Sequence, residues 1–279
     1  MPYQDKYIET IKNEYYDSIW LKYLKACEDY QLLKPNDHIC VCISGGKDSM
    51  LLAKLFQMLE NQNDKNIKIT YLVMNPGYNS VNLDLIKNNL KKLNIDAKIV
   101  DTDIFEIANN QEKNPCYLCA KMRRGALYNI AKKLECNKIA LGHHYDDVIE
   151  TTLMNLLNSG SFQTMLPKLH STNFEGMELI RPLYYVKEET IISWKDYNNL
   201  EFIRCACKLT ENIERYATES GSQRYATKML IKELKQKYPE IESNIFNSAS
   251  NINIDKVLAT KKGNEVKTFL DNYKKRLWK

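Results

Sequence analysis

Short apolar runs of strand length recur along the chain, separated by stretches with helical spacing. The strand-like runs are His38–Ile43, Ile67–Met74, Ala97–Asp101, Lys138–Leu141 and Glu178–Arg181. Their length and β-branched content predict strands, the first of them buried on both faces. The patterns between them predict helices over Ser49–Asn61, Val81–Leu93 and Arg123–Leu134. This alternation predicts an α/β fold, a Rossmann-like doubly wound parallel sheet covered by helices. Ligands of such sheets bind at the carboxyl ends of the strands, near the topological switch point. The turns at Ser44–Ser49, Met74–Gly77 and Gly142-His143 follow predicted strands, so they are expected to converge there. Tyr7, Ile8, Ile11, Tyr15, Tyr16 and Ile19 recur at helical spacing and predict an amphipathic N-terminal segment. The expected organisation is a helical extension over 1–35, a catalytic domain over 36–204 and a helical region with a basic tail over 205–279.

Ser44-Gly45-Gly46-Lys47-Asp48-Ser49 joins the first strand to the first core helix. Two glycines let the backbone approach a ligand with no Cβ in the way. Unpaired N–H groups of the turn and of the helix N-terminus then face an anion. Lys47 adds a point charge, and Ser44 and Ser49 add hydroxyl donors. The spacing is not that of a Walker A loop, which places four residues between its first glycine and its Gly-Lys pair. The hexapeptide instead resembles the SGGxDS signature of the PP-loop ATP pyrophosphatases. That resemblance implies an ATP site on a doubly wound domain, transfer of AMP to a substrate oxygen and release of pyrophosphate. It implies further that Asp48 orients Mg²⁺, that Lys47 sits on the phosphates and that backbone groups around Met74 recognise adenine.

The chain has eight cysteines. No apolar run approaches membrane-span length and no signal peptide opens the sequence, so a reducing cytoplasm is the expected compartment, with no membrane partner. There, clustered cysteines point to metal or redox chemistry ahead of disulfides. Cys40 and Cys42 sit in the first strand and read as small core residues, as do Cys27 and Cys136. Cys116-Tyr117-Leu118-Cys119 differs, because its spacing lets two thiolates bind one metal. The other cluster is Cys205-Ala206-Cys207, whose spacing is poor for a closed zinc site. Three thiolates with one open position fit an iron–sulfur cluster better; a zinc site using all four thiols is the alternative.

Further matches narrow the resemblance. Pro115 to Tyr128 resembles the CxxCxxxRRGxLY stretch of the TtcA family of tRNA 2-thiocytidine synthetases. Leu141-Gly142-His143-His144-Tyr145-Asp146-Asp147 is similar to that family's LGHHxDD, and Ile180 to Val186 to its IRPLxYV. The matches fall in family order between Ile39 and Val186. The resemblance implies a four-iron four-sulfur cluster on Cys116, Cys119 and a third cysteine. Cys207 is favoured for that place, with Cys205 the alternative, since the family's CxxC is CxC here. It implies ATP and Mg²⁺ as reactants, tRNA as substrate, and a sulfur donor that is either a cysteine desulfurase or free sulfide. A homodimer is possible on the same ground. The expected reaction is C2 thiolation of a tRNA pyrimidine, with cytidine first, through an adenylated base. Another tRNA base, a non-tRNA substrate, a zinc-containing amide synthetase and a binding module without turnover are the competing readings.

Within Leu141–Asp147, Gly142 reads as a support of the ATP site. Asp147 reads as the carboxylate for a second Mg²⁺ or a pyrophosphate contact. His143 and His144 read as a helix cap and first turn before direct catalysts. Arg123 and Arg124 are either solvated or hold RNA phosphate. Charge adds one further point. Residues 256–279 carry eight Lys/Arg against two Asp/Glu, so the chain's net +5 resides in its tail. With Tyr273 and Trp278, that tail reads as a solvated helix or an RNA-backbone contact.

Overall fold

The computed structural model describes residues 5–61, 66–110, 115–203 and 223–276. The central sheet has six strands in the order β3-β2-β1-β4-β6-β5. These are β1 (His38–Ile43), β2 (Lys68–Asn75), β3 (Ala97–Asp101), β4 (Lys138–Ala140), β5 (Lys168–His170) and β6 (Glu178–Ile180). All neighbouring pairs are parallel except β5 with β6, which runs antiparallel at the edge. The chain moves outward from β1 through β2 to β3, then returns to the other side of β1 with β4. The switch point therefore lies between β1 and β4.

Alternation along β1 assigns its side chains to two cores. Ile39, Val41 and Ile43 enter the larger one with α3 (Lys47–Glu60). Cys40 and Cys42 enter the other with Cys136, Leu72 and Leu179. Cys40, Cys42, Cys27 and Cys136 are all buried. A hydrogen bond with Cys40, and then burial, push the Cys136 thiol up, which leaves it inert at neutral pH.

The N-terminal segment folds as α1 (Lys6–Asn13), a π-helical turn (Tyr16–Trp20) and α2 (Leu21–Asp29). Asp5 caps α1 by accepting from the Tyr7 and Ile8 N–H groups. Tyr7, Ile8, Ile11, Tyr15 and Ile19 are buried as the spacing predicts, whereas Tyr16 turns outward where the π-turn shifts the register. Lys54 of α3, fully buried, ties this layer to the core through Asp5, Gln57 and the Leu93 carbonyl.

The remaining helices are α4 (Ser80–Lys92), α5 (Ile104–Asn109), α6 (Pro115–Lys133), α7 (Tyr145–Ser159), α8 (Glu188–Tyr197), α9 (Gln223–Lys237) and α10 (Ile241–Ser248). Two boundaries differ from the sequence expectation in ways that matter. Helix α3 begins at Lys47, so Lys47 and Asp48 lie in its first turn. Helix α6 begins at Pro115, eight residues before Arg123, which places Cys116 and Cys119 on a helix. Proline is well suited to a first helical position, since its missing N–H has no partner there in any case. The C-terminal region is not wholly helical as expected. It carries an antiparallel hairpin, β7 (Ala259–Lys262) with β8 (Glu265–Thr268), before α11 (Phe269–Arg276). Among the described residues, no helix is long and apolar enough to cross a membrane.

Candidate active site

The loop Ser44–Ser49 leaves the end of β1 at the switch point. Gly45 has φ +88°, and a Cβ there would stand 2.7 Å from Ile86 and 2.8 Å from Ile203. Only glycine fits both the left-handed backbone and the space. Gly46 is the N-cap of α3. The Ser49 hydroxyl accepts from the Ser44 N–H (3.1 Å) and donates to the Gly46 carbonyl (2.9 Å). Ser49 is buried, so its hydroxyl shapes the loop from behind. Ser44, by contrast, is exposed toward the site. Ser49 thus differs from the sequence expectation of a second donor to ligand.

Gly142 brings the next strand end against this loop. A Cβ on it would lie 3.0 Å from the Asp48 carbonyl carbon and 3.0 Å from the Ser49 nitrogen. Those atoms are backbone at the start of α3 and cannot swing aside. Gly142→Ala is therefore expected to push the loop off its position and weaken ATP binding at least tenfold, about 1.4 kcal/mol. Calorimetric titration with ATP checks this; unchanged affinity would mean that the two strand ends need not touch.

Charged groups are paired around the loop. Lys47 Nζ lies 3.0 Å from Glu188 Oε1 and 3.2 Å from Asp48 Oδ1. Burial opposes its charge, but the Asp48 and Glu188 carboxylates hold it above the usual lysine range. Glu188, at the start of α8, also pairs with Lys228 of α9, and its N–H donates to Asp146 (2.7 Å). Asp147 accepts from the His144 N–H (3.0 Å), capping α7. Arg224 of α9 reaches Asp147 (3.3 Å) and Glu150 (3.0 Å). Thus Asp147 is engaged by protein partners before any ligand arrives.

The two histidines diverge. His143 is driven down to about 4, first by burial, with the cations Arg181 and Arg224 adding to it. It is neutral at physiological pH. Burial also opposes charge on His144, yet Asp146, Asp147 and Asp48 raise it above the usual histidine range. Its Nε2 stands 3.5 Å from Asp147 and 3.8 Å from Asp48. Asp48 Oδ1, though buried, has no hydrogen-bond partner. The Lys47 ammonium is its ion-pair neighbour at 3.2 Å, and a carboxylate oxygen at a phosphate loop that accepts no hydrogen bond is a donor that suits Mg²⁺.

Two cavities open from the loop. The smaller, ≈ 340 Å³, is lined by Ser44, Asp48 and Ser49, and by Met74, Gly142 and Asp147. The larger, ≈ 1050 Å³, is lined by Ser44, Gly46, Lys47 and Asp48, and by residues of α4, α8 and the segment to Ile203. Arg123 borders both. The structure thus brings together the residues expected to hold nucleotide: Ser44 to Ser49, Met74, Gly142 and Asp147.

Cys116 and Cys119 occupy positions three apart in the first two turns of α6, neighbouring positions along the helix. Cys119 is half-buried and packs against the larger core. Arg123, one helical turn further along α6, lines the larger cavity together with Tyr78. A Cys-x-x-Cys pair on the helix that also carries Arg123 is a donor set that fits an iron–sulfur cluster. Cys205 and Cys207 fall outside the described residues. Among those that are described, no group of three or more His, Cys, Asp or Glu is placed to hold a metal. Glu188, Arg224 and Lys228 escaped the sequence reading. They sit in no motif and meet the loop only through long-range pairing.

Comparison with known proteins completes the description. A family described as PP-loop domain matches residues 17–217. The tRNA-cytidine(32) 2-sulfurtransferase of Pelobacter propionicus is 32% identical over 231 residues, 82% of this chain and 83% of that protein. That of Geobacter sulfurreducens is 31% identical over 248 residues, 88% and 93% of the two chains. Among solved structures, the U34-tRNA thiolase NcsA from Methanococcus maripaludis with its [4Fe-4S] cluster superimposes with a TM-score of 0.64. It covers 82% of this chain and 76% of that one at 22% identity, a likeness of fold. On its sequence relatives and its matched domain, the chain belongs to the TtcA-like family of PP-loop proteins.

Proposed function

We propose that this protein is an ATP-dependent tRNA thiolase that replaces the C2 oxygen of a cytidine with sulfur. The observation that carries the reading is spatial: the phosphate loop and Arg123 of the cysteine-bearing helix α6 line one cavity. An amide synthetase using ammonia has no need of thiolates there. Relatives named as tRNA-cytidine(32) 2-sulfurtransferases supply the substrate class.

The carbonyl oxygen of a pyrimidine is a poor leaving group. Lys47 and the N–H groups opening α3 bind the triphosphate and draw charge toward the β- and γ-phosphates. Asp48 would hold Mg²⁺ there. The C2 oxygen attacks the α-phosphorus, and the α–β phosphoanhydride bond breaks with its electron pair leaving on pyrophosphate. Hydrosulfide then adds at C2, its proton is lost to solvent, and the C2–O bond breaks with its pair leaving on AMP. No net oxidation or reduction occurs. Cys116, Cys119 and one of Cys205 and Cys207 would hold a four-iron cluster, which when bound supplies a Lewis-acidic site for sulfide. The sulfide itself comes from a cysteine desulfurase or from free sulfide in the cytoplasm.

The test is the dependence of pyrophosphate release on RNA. Anaerobically purified protein with ATP and Mg²⁺ is expected to release pyrophosphate when unmodified tRNA is added, and to release little without it. Equal release with ammonia alone, or none with tRNA, would contradict the proposal.

A further inference from the structure

The two cavities share a wall made by Ser44, Asp48 and Arg123. The smaller takes the residues assigned to the nucleotide beyond the loop: Met74, Gly142 and Asp147. The larger has walls that no part of the nucleotide assignment uses. Leu85 of α4, Ile192 of α8 and Phe202 form its apolar side, and Asp196 and Glu201 lie among its polar lining. Its ≈ 1050 Å³ is at the upper limit of ordinary ligand pockets, about 300–1,000 Å³. Space therefore remains beside a triphosphate on the loop.

Tyr78 fixes the side that faces α6. Its hydroxyl donates to the Ser44 carbonyl (3.1 Å), and its ring packs edge-on against Phe105. Arg123 of α6 lines the same cavity. The larger cavity is thus bounded by the adenylating loop at one wall and lies beside the cysteine-bearing helix at another. Adenylation at the C2 oxygen and sulfur addition at C2 take place on one carbonyl group, so the acceptor must reach both walls without leaving. A base inside a folded RNA cannot do so while stacked; enzymes that modify bases extrude them into a pocket with apolar or aromatic faces and polar edges.

We infer that the larger cavity is the chamber for the acceptor, a pyrimidine nucleotide swung out of the tRNA stack and held between the Ser44–Ser49 loop and α6. This rests on the thiolase reading above. Leu85, Ile192 and Phe202 provide the surface against which the ring lies. Asp196 and Glu201 provide acceptors for its amino edge. Adenosine occupies the smaller cavity at the same time, and the α-phosphate lies at the shared wall.

Ile192 is half-exposed on α8 and takes no part in the loop, so it separates the two cavities experimentally. Ile192→Trp fills the chamber, and Ile192→Ala enlarges it. Ile192→Trp is expected to melt and to bind ATP as wild type does, yet to lose tRNA-dependent pyrophosphate release by roughly 100-fold, the scale of a misplaced reactant. Ile192→Ala, which removes part of the surface without blocking the chamber, is expected to raise KM for tRNA a few-fold while kcat stays within roughly threefold of wild type, so that the two variants separate lost contact from lost space. Wild-type turnover in Ile192→Trp would overturn the assignment. So would loss of ATP binding in a variant that melts normally, because the chamber would then hold the nucleotide. A wild-type protein indifferent to tRNA would sink the function and the chamber together, whereas the Ile192→Trp outcomes sink the chamber alone.

Discussion

Asp48→Ala and Lys47→Ala are expected to abolish pyrophosphate release and thiolation while leaving the melting temperature near that of wild type. Both residues lie in the first turn of α3, facing the cavity and not the core. Asp48 Oδ1 is buried, accepts no hydrogen bond and faces the Lys47 ammonium at 3.2 Å, so it is a donor suited to a metal cation at the loop. Lys47 keeps its charge because Asp48 and Glu188 flank it. A preorganised charge aimed at developing negative charge is worth about 10²–10³ in rate, so each variant is expected to fall at least that far. Lys47→Ala leaves Glu188 with Lys228 as a partner, which is why the fold survives. Coupled pyrophosphate assay and thermal melting read the two halves of the prediction. Wild-type rates in both variants would take ATP away from this loop.

Cys119→Ala is expected to give a protein that binds ATP but is colourless after anaerobic purification. Wild type is expected to be brown with about four irons per chain, and Cys116→Ala to match Cys119→Ala. The neighbouring helix positions 116 and 119 provide adjacent ligands, and removal of one opens the site to loss of the whole cluster. Iron analysis and visible absorption read the result without reference to turnover. One zinc per chain in a colourless, air-stable wild type would contradict it. Cys207→Ser against Cys205→Ser then assigns the third thiolate: Cys207→Ser is expected to lose the iron and Cys205→Ser to keep it.

Much of this was legible in the sequence because burial on both faces leaves a plain signature. Strand β1 reads as an apolar run from Ile39 to Ile43, and each of those alternating side chains does enter a core. The hexapeptide after it was legible because an anion site needs glycine, charge and hydroxyl in one place. The start of α6 was not, since the helix is only weakly amphipathic and carries no clear hydrophobic stripe to mark where it begins. Strand β5, three residues long and mostly exposed, has no pattern to detect. The hairpin β7–β8 was missed because all its residues are exposed, so no alternation records a buried face. The pairings of Glu188 with Lys47 and Lys228, and of Arg224 with Asp147 and Glu150, join residues 40 to 141 positions apart by folding alone. Ser49 shows the opposite limit: the residue type was right for a phosphate loop, but its hydroxyl serves the loop's own backbone.

The most direct measurement is mass spectrometry of nucleosides from tRNA treated with the purified protein, ATP, Mg²⁺ and sulfide under anaerobic conditions. The account predicts that 2-thiocytidine appears in amounts that track AMP formed, and that it vanishes with Asp48→Ala. Thiolated uridine in its place, or AMP formation with no thiolated nucleoside at all, would contradict it.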